Sequence, residues 1–193
     1  MPALRAVTFP RAVRVVPHGD GITFTSLSPS GDFMIEVHGV RQFDEPHCVP
    51  ACLEGILEDL GHGKSQKLIV EEHPGYFASP ELGRWTVTSE RWLEEFSGLL
   101  RALGLLEVGG AIATVHDLSA NRKTLENLRL SGYQILIFYD PSPRTAARFA
   151  GLYDDRSFLA DPQSGMRAEN DSEFANREAL AVCFRPTLSA PEC

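Results

Sequence analysis

The sequence predicts an α+β fold, because helical patterns come before a final third that is mostly strand. Apolar residues recur at three-and-four spacing over 48–61 and again over 89–104, as in amphipathic helices. Residues 133–139 form a nearly continuous apolar run, which is typical of a buried central strand. We therefore expect helices packed on an antiparallel sheet.

Length and composition indicate a soluble globular protein with one sizeable core. The chain has 193 residues, of which 43% are hydrophobic and 23% are charged. We divide it into a strand-rich N-terminal extension, 1–35, and one compact unit, 36–193. The oligomeric state stays open.

The charge balance and the hydropathy exclude two classes of partner. The net charge is −8, without the basic excess or stripe typical of nucleic-acid binding. No apolar run approaches the roughly 18 residues that a membrane span needs. The N-terminus has no continuous apolar segment like that of a signal peptide. The expected location is cytoplasmic, and secretion as an effector without a cleavable signal stays open.

The first predicted elements are short strands followed by a helix. Turn-forming residues at 18–21 and 28–32 separate strand-like pieces, the best of which is Phe33–Val37. The next helix carries Pro50 in its first turn, where proline costs no hydrogen bond, and ends at Gly61. Cys48 therefore lies at the N-terminal end of that helix.

The later elements follow from turn and cap signals. In chain order they are a loop-rich section around 73–75, a helix from the N-cap Ser89 to Gly104, strand-like pieces in 105–115 around Gly109 and Gly110, a helix at about 119–130 ending at Gly132, the strand 133–139, strands 149–153 and 157–160 flanking a turn at Asp154 and Asp155, and a last strand 179–184. Gly109 and Gly110, which end the segment Leu-Leu-Glu-Val-Gly-Gly at 105–110, are predicted to form a turn between these strand-like pieces.

The chain has four cysteines, Cys48, Cys52, Cys183 and Cys193. Four are too few for a disulfide scaffold in a chain of this length. Cys48 and Cys52 lie one helical turn apart, on one face. No second Cys or His pair has the spacing of a zinc site. The sequence therefore predicts no metal and no cofactor.

Cys48 is the candidate nucleophile. A cysteine that opens a helix lies at the positive end of the helix dipole, which favours the thiolate. Gln42, six residues upstream across a loop, can place its amide beside the sulfur and stabilise an oxyanion. The alternative is that Cys48 is a buried structural cysteine and Gln42 a loop residue.

Asp161 is the second candidate. It follows a short apolar strand, and a carboxylate at a strand end can orient an imidazole by accepting its hydrogen bond. The alternative is a plain Asp-Pro turn, formed with Pro162.

Together these pieces resemble the bacteriocin-processing cysteine peptidases, which remove double-glycine leaders within ABC exporters, and the wider papain-like superfamily. The resemblance covers roughly residues 36–165. The matching positions are Gln42, Cys48, Ala51, Cys52, 133–139, 153–155 and 160–162.

The resemblance implies a papain-like fold and thiol acyl transfer on a peptide or amide bond, with a peptide or protein as substrate. In that scheme Cys48 attacks the carbonyl, and Gln42 with the Cys48 backbone N–H holds the oxyanion. Asp161 orients the base.

Two positions depart from the family pattern. Val49 replaces the glycine that usually follows the nucleophile. The family's histidine belongs at about 144–147, where this chain has Arg-Thr-Ala-Ala, and Ala146 is the position expected to hold it. General acid–base help is worth roughly a hundredfold to ten-thousandfold in rate, so the missing base predicts a nearly inert peptidase.

Several explanations stay open. The chain is a natural pseudoenzyme that keeps a peptide-binding cleft, or Ala146 is an engineered replacement of the base, or another histidine such as His47 serves. A glutamine deamidase-type effector on the same fold is a further alternative. The sequence alone does not choose among them.

Overall fold

The protein is described from a computed structural model. The structure describes residues 13–18, 21–26, 33–37, 40, 42, 47–77, 90–140, 145–153, 156–169 and 178–187. Ser89, Arg144, Asp154 and Asp155, on which predictions were made, lie outside these residues. None of the helices in the described ranges has the length and apolar character needed to cross a bilayer.

Among the described elements, most helices lie in the middle of the chain and most strands lie toward its two ends. In chain order they are β1 (Val13–His18), β2 (Gly21–Ser26), β3 (Phe33–Val37), α1 (Cys48–Asp59), α2 (Gln66–Glu72), α3 (Pro74–Phe77), α4 (Glu90–Ala102), β4 (Ala113–Val115), α5 (Arg122–Leu130), β5 (Gln134–Asp140), β6 (Thr145–Tyr153), β7 (Arg156–Asp161), β8 (Gly165–Glu169) and β9 (Glu178–Phe184). The predicted α+β class is confirmed.

The strands form two antiparallel sheets. The first has the order β1-β2-β3, and the second has the order β4-β9-β5-β6-β7-β8. In the larger sheet β5 pairs with both β6 and β9, so the apolar run predicted as a central strand is central. Its position explains its composition, because both faces of a central strand are covered.

The larger sheet has two buried faces. One face, here called the thiol face, packs against α1 and α4. Its sheet residues are Leu136, Phe138, Ala146, Leu180, Val182 and Phe184. The other face, here called the α5 face, packs against α5. Its sheet residues are Ile135, Ile137, Tyr139, Ala147, Phe149, Leu159, Ala181 and Cys183. The period of two along each strand separates the two sets.

An aromatic cluster anchors α4 to the thiol face. Trp92 and Phe96 stack with ring centroids 5.2 Å apart, and both meet Phe138 edge-on at 5.0 and 6.0 Å. Phe96 also meets Phe184 at 6.5 Å. These offset and edge-on geometries add to the hydrophobic gain of burial. The cluster holds α4 on the thiol face, where α1 also packs.

α1 forms where the sequence predicts it. Leu53 and Ile56 are fully buried, and the apolar stripe that they share faces the sheet. The helix ends before Gly61, whose φ of 72° is a conformation that favours glycine. This packing places the first residue of α1, Cys48, beside Ala146 at the start of β6.

Two short helices occupy the section predicted as loop-rich. The side-chain oxygen of Ser65 accepts a hydrogen bond from the Leu68 N–H and caps α2, and Ile69 is fully buried. α3 then begins at Pro74, a residue tolerated in a first helical turn. The prediction was wrong here because a short helix has too few turns for periodicity to show.

Three strand predictions also need correction. Residues 105–112 form turns rather than strand, and only Ala113–Val115 pairs with β9. β6 begins at Thr145 rather than 149. The predicted start was too late because the charged Arg148 interrupts the apolar pattern of the strand. β8 was not predicted at all, since its sequence, Gly-Met-Arg-Ala-Glu, has little apolar character.

Candidate active site

Cys48 begins α1 and is half-buried. The predicted helix start is therefore correct, and it follows from Pro50 and the apolar spacing behind it. The backbone carbonyl of His47 accepts the first helical hydrogen bond, from Ala51 N–H at 3.0 Å. The sulfur lies at the end of the helix where N–H groups have no partners within the helix.

Three backbone N–H groups face the Cys48 sulfur, those of Ala146, Val49 and Cys48 itself, and each lowers the thiol pKa. Burial acts in the opposite direction and is the largest influence, and the negative charge of Asp161 adds to it. The net result is a Cys48 pKa raised above its ordinary value. The thiol is therefore mostly protonated near neutral pH.

Cys52 holds the other backbone group of Ala146. Its thiol donates to the Ala146 carbonyl oxygen at 3.6 Å. Cys52 is buried, and its pKa is raised well above the ordinary value by burial and by the neighbouring Cys48. Cys52 is therefore a neutral structural thiol that ties α1 to β6.

The backbone of Ala146 can bond to the two sulfurs because of where β7 ends. The pairing of β6 with β7 begins at Arg148 and Ala160, and the chain turns after Asp161. Ala146 lies beyond that pairing, so its N–H and C=O meet the first turn of α1. The start of the helix replaces a strand there and satisfies the backbone groups.

The side chain of Ala146 faces the same layer as α1. Ala146 is 1% exposed and lies in the apolar cluster of the thiol face, opposite Phe138 on β5. Its neighbour Ala147 is fully buried on the α5 face. At the position where the family's histidine was expected, this chain therefore places only a methyl group against α1.

Asp161 ends β7 and is 4% exposed. Its carboxylate accepts a hydrogen bond from Gln163 N–H at 2.8 Å, as an Asp at the start of a turn does. Its charge influences both Cys48 and Cys52. The structure therefore brings Asp161 near the two thiols and also makes it a turn residue.

Gln42 meets the same turn through its backbone. Its N–H donates to the carbonyl oxygen of Pro162 at 3.1 Å, and the residue is half-buried. The loop before α1 is thereby fastened to the turn after β7. The role of the Gln42 amide beside the sulfur stays a prediction.

No histidine in the described ranges contributes to the pKa of Cys48. His47 is adjacent in sequence and half-buried, and its side chain does not cap α1. His62 lies past the far end of α1, and His116 is exposed in the loop before α5. The substitute-base hypothesis gains no support from these positions.

Sequence reasoning missed a buried polar group at the other end of α1. Arg148, 3% exposed, forms an ion pair with Asp59 in the last turn of α1 and donates to the Gln134 side-chain oxygen at 3.1 Å. The available signal was the single charge in the run Ala146–Ala150 of β6, since a buried strand carries a charge only with a partner.

The segment 105–110 is a surface turn between α4 and β4. Leu105 is fully buried, whereas Val108 is 96% exposed. Gly109 has φ 87°, and the Gly110 carbonyl accepts from Arg101 at 3.4 Å. The turn predicted at the two glycines is present, whereas the strand predicted before it is not. In the described part of the chain, no three His, Cys, Asp or Glu side chains lie together as metal ligands would.

Comparison with known proteins identifies the fold but not a family. No protein-family model matches the chain, and no curated protein matches it. Among solved structures, it is similar to the peptidase domain of Streptococcus ComA, a bi-functional ABC transporter involved in quorum sensing, with TM-score 0.52 and 16% identity over 76% of this chain and 96% of that one.

A second similar structure is a double-glycine-motif protease from an AMS/PCAT transporter, in complex with its leader peptide. It gives TM-score 0.54 and 13% identity over 79% of this chain and 94% of that one. These identities are low, so the likeness concerns the fold. The chain has the papain-like α+β fold of double-glycine peptidase domains, as the sequence motifs predicted.

Proposed function

We propose that this chain is a peptide-binding domain on the double-glycine peptidase fold, with a catalytically silent thiol. The observation that carries the proposal is the contact between Cys48 and Ala146. At the point where β6 meets the sulfur, the chain offers a backbone N–H and a buried methyl group instead of an imidazole.

The chemistry of the Cys48 thiol supports the absence of catalytic activity in this proposal. Burial raises the Cys48 pKa, so little thiolate exists near neutral pH. Acyl transfer also needs an acid to protonate the leaving amine, and that help is worth roughly a hundredfold to ten-thousandfold in rate. A raised pKa and a missing acid reinforce each other.

The remaining groups suit binding of a peptide carbonyl. The N–H groups of Cys48 and Val49 lie beside the sulfur at the start of α1, where helix donors have no partner within the helix and a bound carbonyl oxygen would accept from them. We assign the Gln42 amide to the same role, because its backbone is fastened to Pro162 beside Asp161. One structural neighbour holds a leader peptide, which makes a peptide ending in two glycines the first ligand to try.

A second candidate is a cysteine peptidase whose base was removed, naturally or by engineering, at Ala146. Its support is that Cys48 and Asp161 remain together and that position 146 faces the thiol helix. Amide hydrolysis of a glutamine side chain would use the same thiol. Both activities therefore depend on a base being restored.

Binding and cleavage are measured separately to test the proposal. Fluorescently labelled leader peptides with a double-glycine end are titrated against the chain, and the mixture is then analysed by mass spectrometry. We expect saturable binding with the peptide left intact. A matched peptide with both glycines replaced by leucines should bind more weakly. Cleavage by the unaltered chain, lost in Cys48→Ala, would overturn the proposal in favour of a peptidase.

A further inference from the structure

The strand face that carries Ala146 also carries Arg148. The two residues are two positions apart on β6, so their side chains point to the same side of the sheet. Ala146 meets the first turn of α1, and Arg148 pairs with Asp59 in its last turn. One strand therefore contacts both ends of the same helix.

These two contacts hold α1 in place along β6. Cys48 and Asp59 are separated by eleven helical steps, which is about 16 Å at 1.5 Å per residue. A helix held at one end can pivot, whereas a helix held at both ends cannot slide or tilt freely. The ion pair at Asp59 therefore adds a polar contact to the apolar packing of Leu53 and Ile56 that holds α1 on the sheet.

Burial of the charges at the far end makes that contact costly to break. Arg148 is 3% exposed, and the side chain of Asp59 is 9% exposed. Arg129, in the last turn of α5, has its pKa lowered to about 10 by burial and by Arg148, while Asp59 opposes this. Asp59 thus balances two buried guanidinium groups. Without the charge of Asp59, the two guanidinium groups would repel each other.

We propose that Asp59 and Arg148 are positioning residues for Cys48, because their ion pair sets how α1 lies on β6 and so how deeply the sulfur is buried. The inference rests on the proposed function in that it assigns a role in shaping the same site. It concerns the thiol environment and not the ligand, so the two proposals can fail separately.

The expected direction follows from the groups around the sulfur. Asp161 on β7 influences both Cys48 and Cys52, whereas Cys48 and Arg148 on β6 influence Cys52. Burial is the largest of the influences on Cys48 and raises its pKa. Releasing the far end of α1 admits water to the sulfur, which lowers the pKa toward that of a free thiol.

The test measures iodoacetamide alkylation of Cys48 against pH, with the labelled peptide identified by mass spectrometry. The variants are Asp59→Asn and Arg148→Met, studied below their melting temperatures. We expect the alkylation midpoint to fall and the rate near neutral pH to rise by roughly threefold to tenfold, since the thiolate fraction grows tenfold per unit of pKa. Arg148→Lys keeps the charge but has a shorter side chain without the guanidinium group, so it should give a smaller but still measurable fall of the midpoint.

Two controls separate positioning from general destabilisation. Glu72→Gln breaks the exposed ion pair with Lys64, 2.6 Å long, and should leave the midpoint unchanged. Leu125→Ala removes a fully buried side chain from the α5 face and should lower stability without moving the midpoint. If Leu125→Ala shifts the midpoint as much as Asp59→Asn does, the positioning role is wrong.

An unchanged midpoint in folded Asp59→Asn and Arg148→Met would also overturn the inference. If both variants fail to fold, Arg148→Lys decides the matter, and a midpoint equal to that of the unaltered chain refutes positioning. Peptide binding measured on the same variants distinguishes the two proposals. If the midpoint shifts in the variants but neither they nor the unaltered chain bind the peptide, the positioning role is retained. The proposed function is then rejected.

Discussion

The Cys52 thiol donates to the carbonyl oxygen of Ala146 across 3.6 Å. The N–H of the same alanine faces the sulfur of Cys48. One residue of β6 thus engages both thiols of α1, which are one helical turn apart. Any side chain placed at position 146 therefore lies against the candidate nucleophile.

The unaltered chain should have an unreactive Cys48. Burial raises the pKa of this thiol, so we expect its alkylation midpoint to lie above the roughly 8.5 of a free cysteine. The rate of iodoacetamide labelling, measured against pH on the Cys48 peptide, checks this. Glutathione alkylated in parallel gives the free-thiol reference. A midpoint below that reference would show an activated thiol and remove the main support for silence.

Restoring a histidine at position 146 should activate the thiol. In Ala146→His the imidazole would lie on the thiol face beside Cys48, and its protonated form would favour the thiolate. We expect the midpoint to fall below about 8.5, with a stability loss of roughly 1–3 kcal/mol from overpacking a residue that is 1% exposed.

The matched control for that substitution is Ala147→His. It adds the same ring to the neighbouring buried residue, on the α5 face. Its stability should fall similarly while the Cys48 midpoint stays in place. Equal Cys48 midpoints in both variants would mean that position 146 is not where a histidine base would act on Cys48.

Neutralising Asp161 should have opposite effects in two backgrounds. In the unaltered chain its charge raises the Cys48 pKa, so Asp161→Asn should speed alkylation near neutral pH. In Ala146→His the same charge would stabilise the imidazolium, so removing it should slow alkylation. Asparagine keeps an oxygen for the Gln163 N–H, which preserves the turn. The same sign in both backgrounds would exclude Asp161 as an orienting residue.

Cys183 should make the fold sensitive to alkali. Burial raises its pKa to about 12 from an ordinary value of 9.0. Its contribution to stability is complete below the unfolded-state pKa and is lost as pH rises through that value toward the folded pKa, because only the unfolded chain ionises there. Between these values, the unaltered chain should lose about 1.4 kcal/mol more per pH unit than Cys183→Ala.

Urea unfolding at several alkaline pH values measures this difference. Val182→Ala, a truncation at the adjacent buried position without a titrating group, is the control. Its stability should follow the pH dependence of the unaltered chain. Parallel curves for Cys183→Ala and the unaltered chain would contradict the raised pKa.

Phe96 should be among the costliest core residues to truncate. It is fully buried and contacts Trp92, Phe138 and Phe184. Phe96→Ala should lower the free energy of unfolding by about 3–5 kcal/mol, measured by urea denaturation. Val108→Ala, at a residue 96% exposed, should change it by less than about 0.5 kcal/mol. A small loss at Phe96 would mean that α4 does not anchor the thiol face.

Strongly periodic segments could be predicted from the sequence, and short ones could not. α1 and α4 were found because each has enough residues for the helical period to show, and the central strand β5 was found because its apolar run is nearly continuous. α2 depends on one cap and one buried apolar residue, and β8 depends on pairing with β7. Neither leaves a repeated pattern in the chain.

In the candidate site, too, some residues could be predicted from local sequence signals and others could not. Cys48 and Asp161 were chosen from a helix start and a strand end, and the structure brings their side chains within electrostatic reach. The ion pair between Asp59 and Arg148 joins residues 89 positions apart. Nothing local in either segment identifies its partner.

The sequence by itself determined the α+β class, the helix that begins at Cys48 and the absence of a histidine after His116, because these depend on local spacing and residue identity. Only the tertiary structure decided the state of the thiol. The helix dipole alone favours thiolate, but packing α1 on β6 buries the sulfur, and the loss of water outweighs the three N–H groups that face it. Burial depends on residues far apart in the chain, so the sign of that pKa shift appears only once the fold has brought them together.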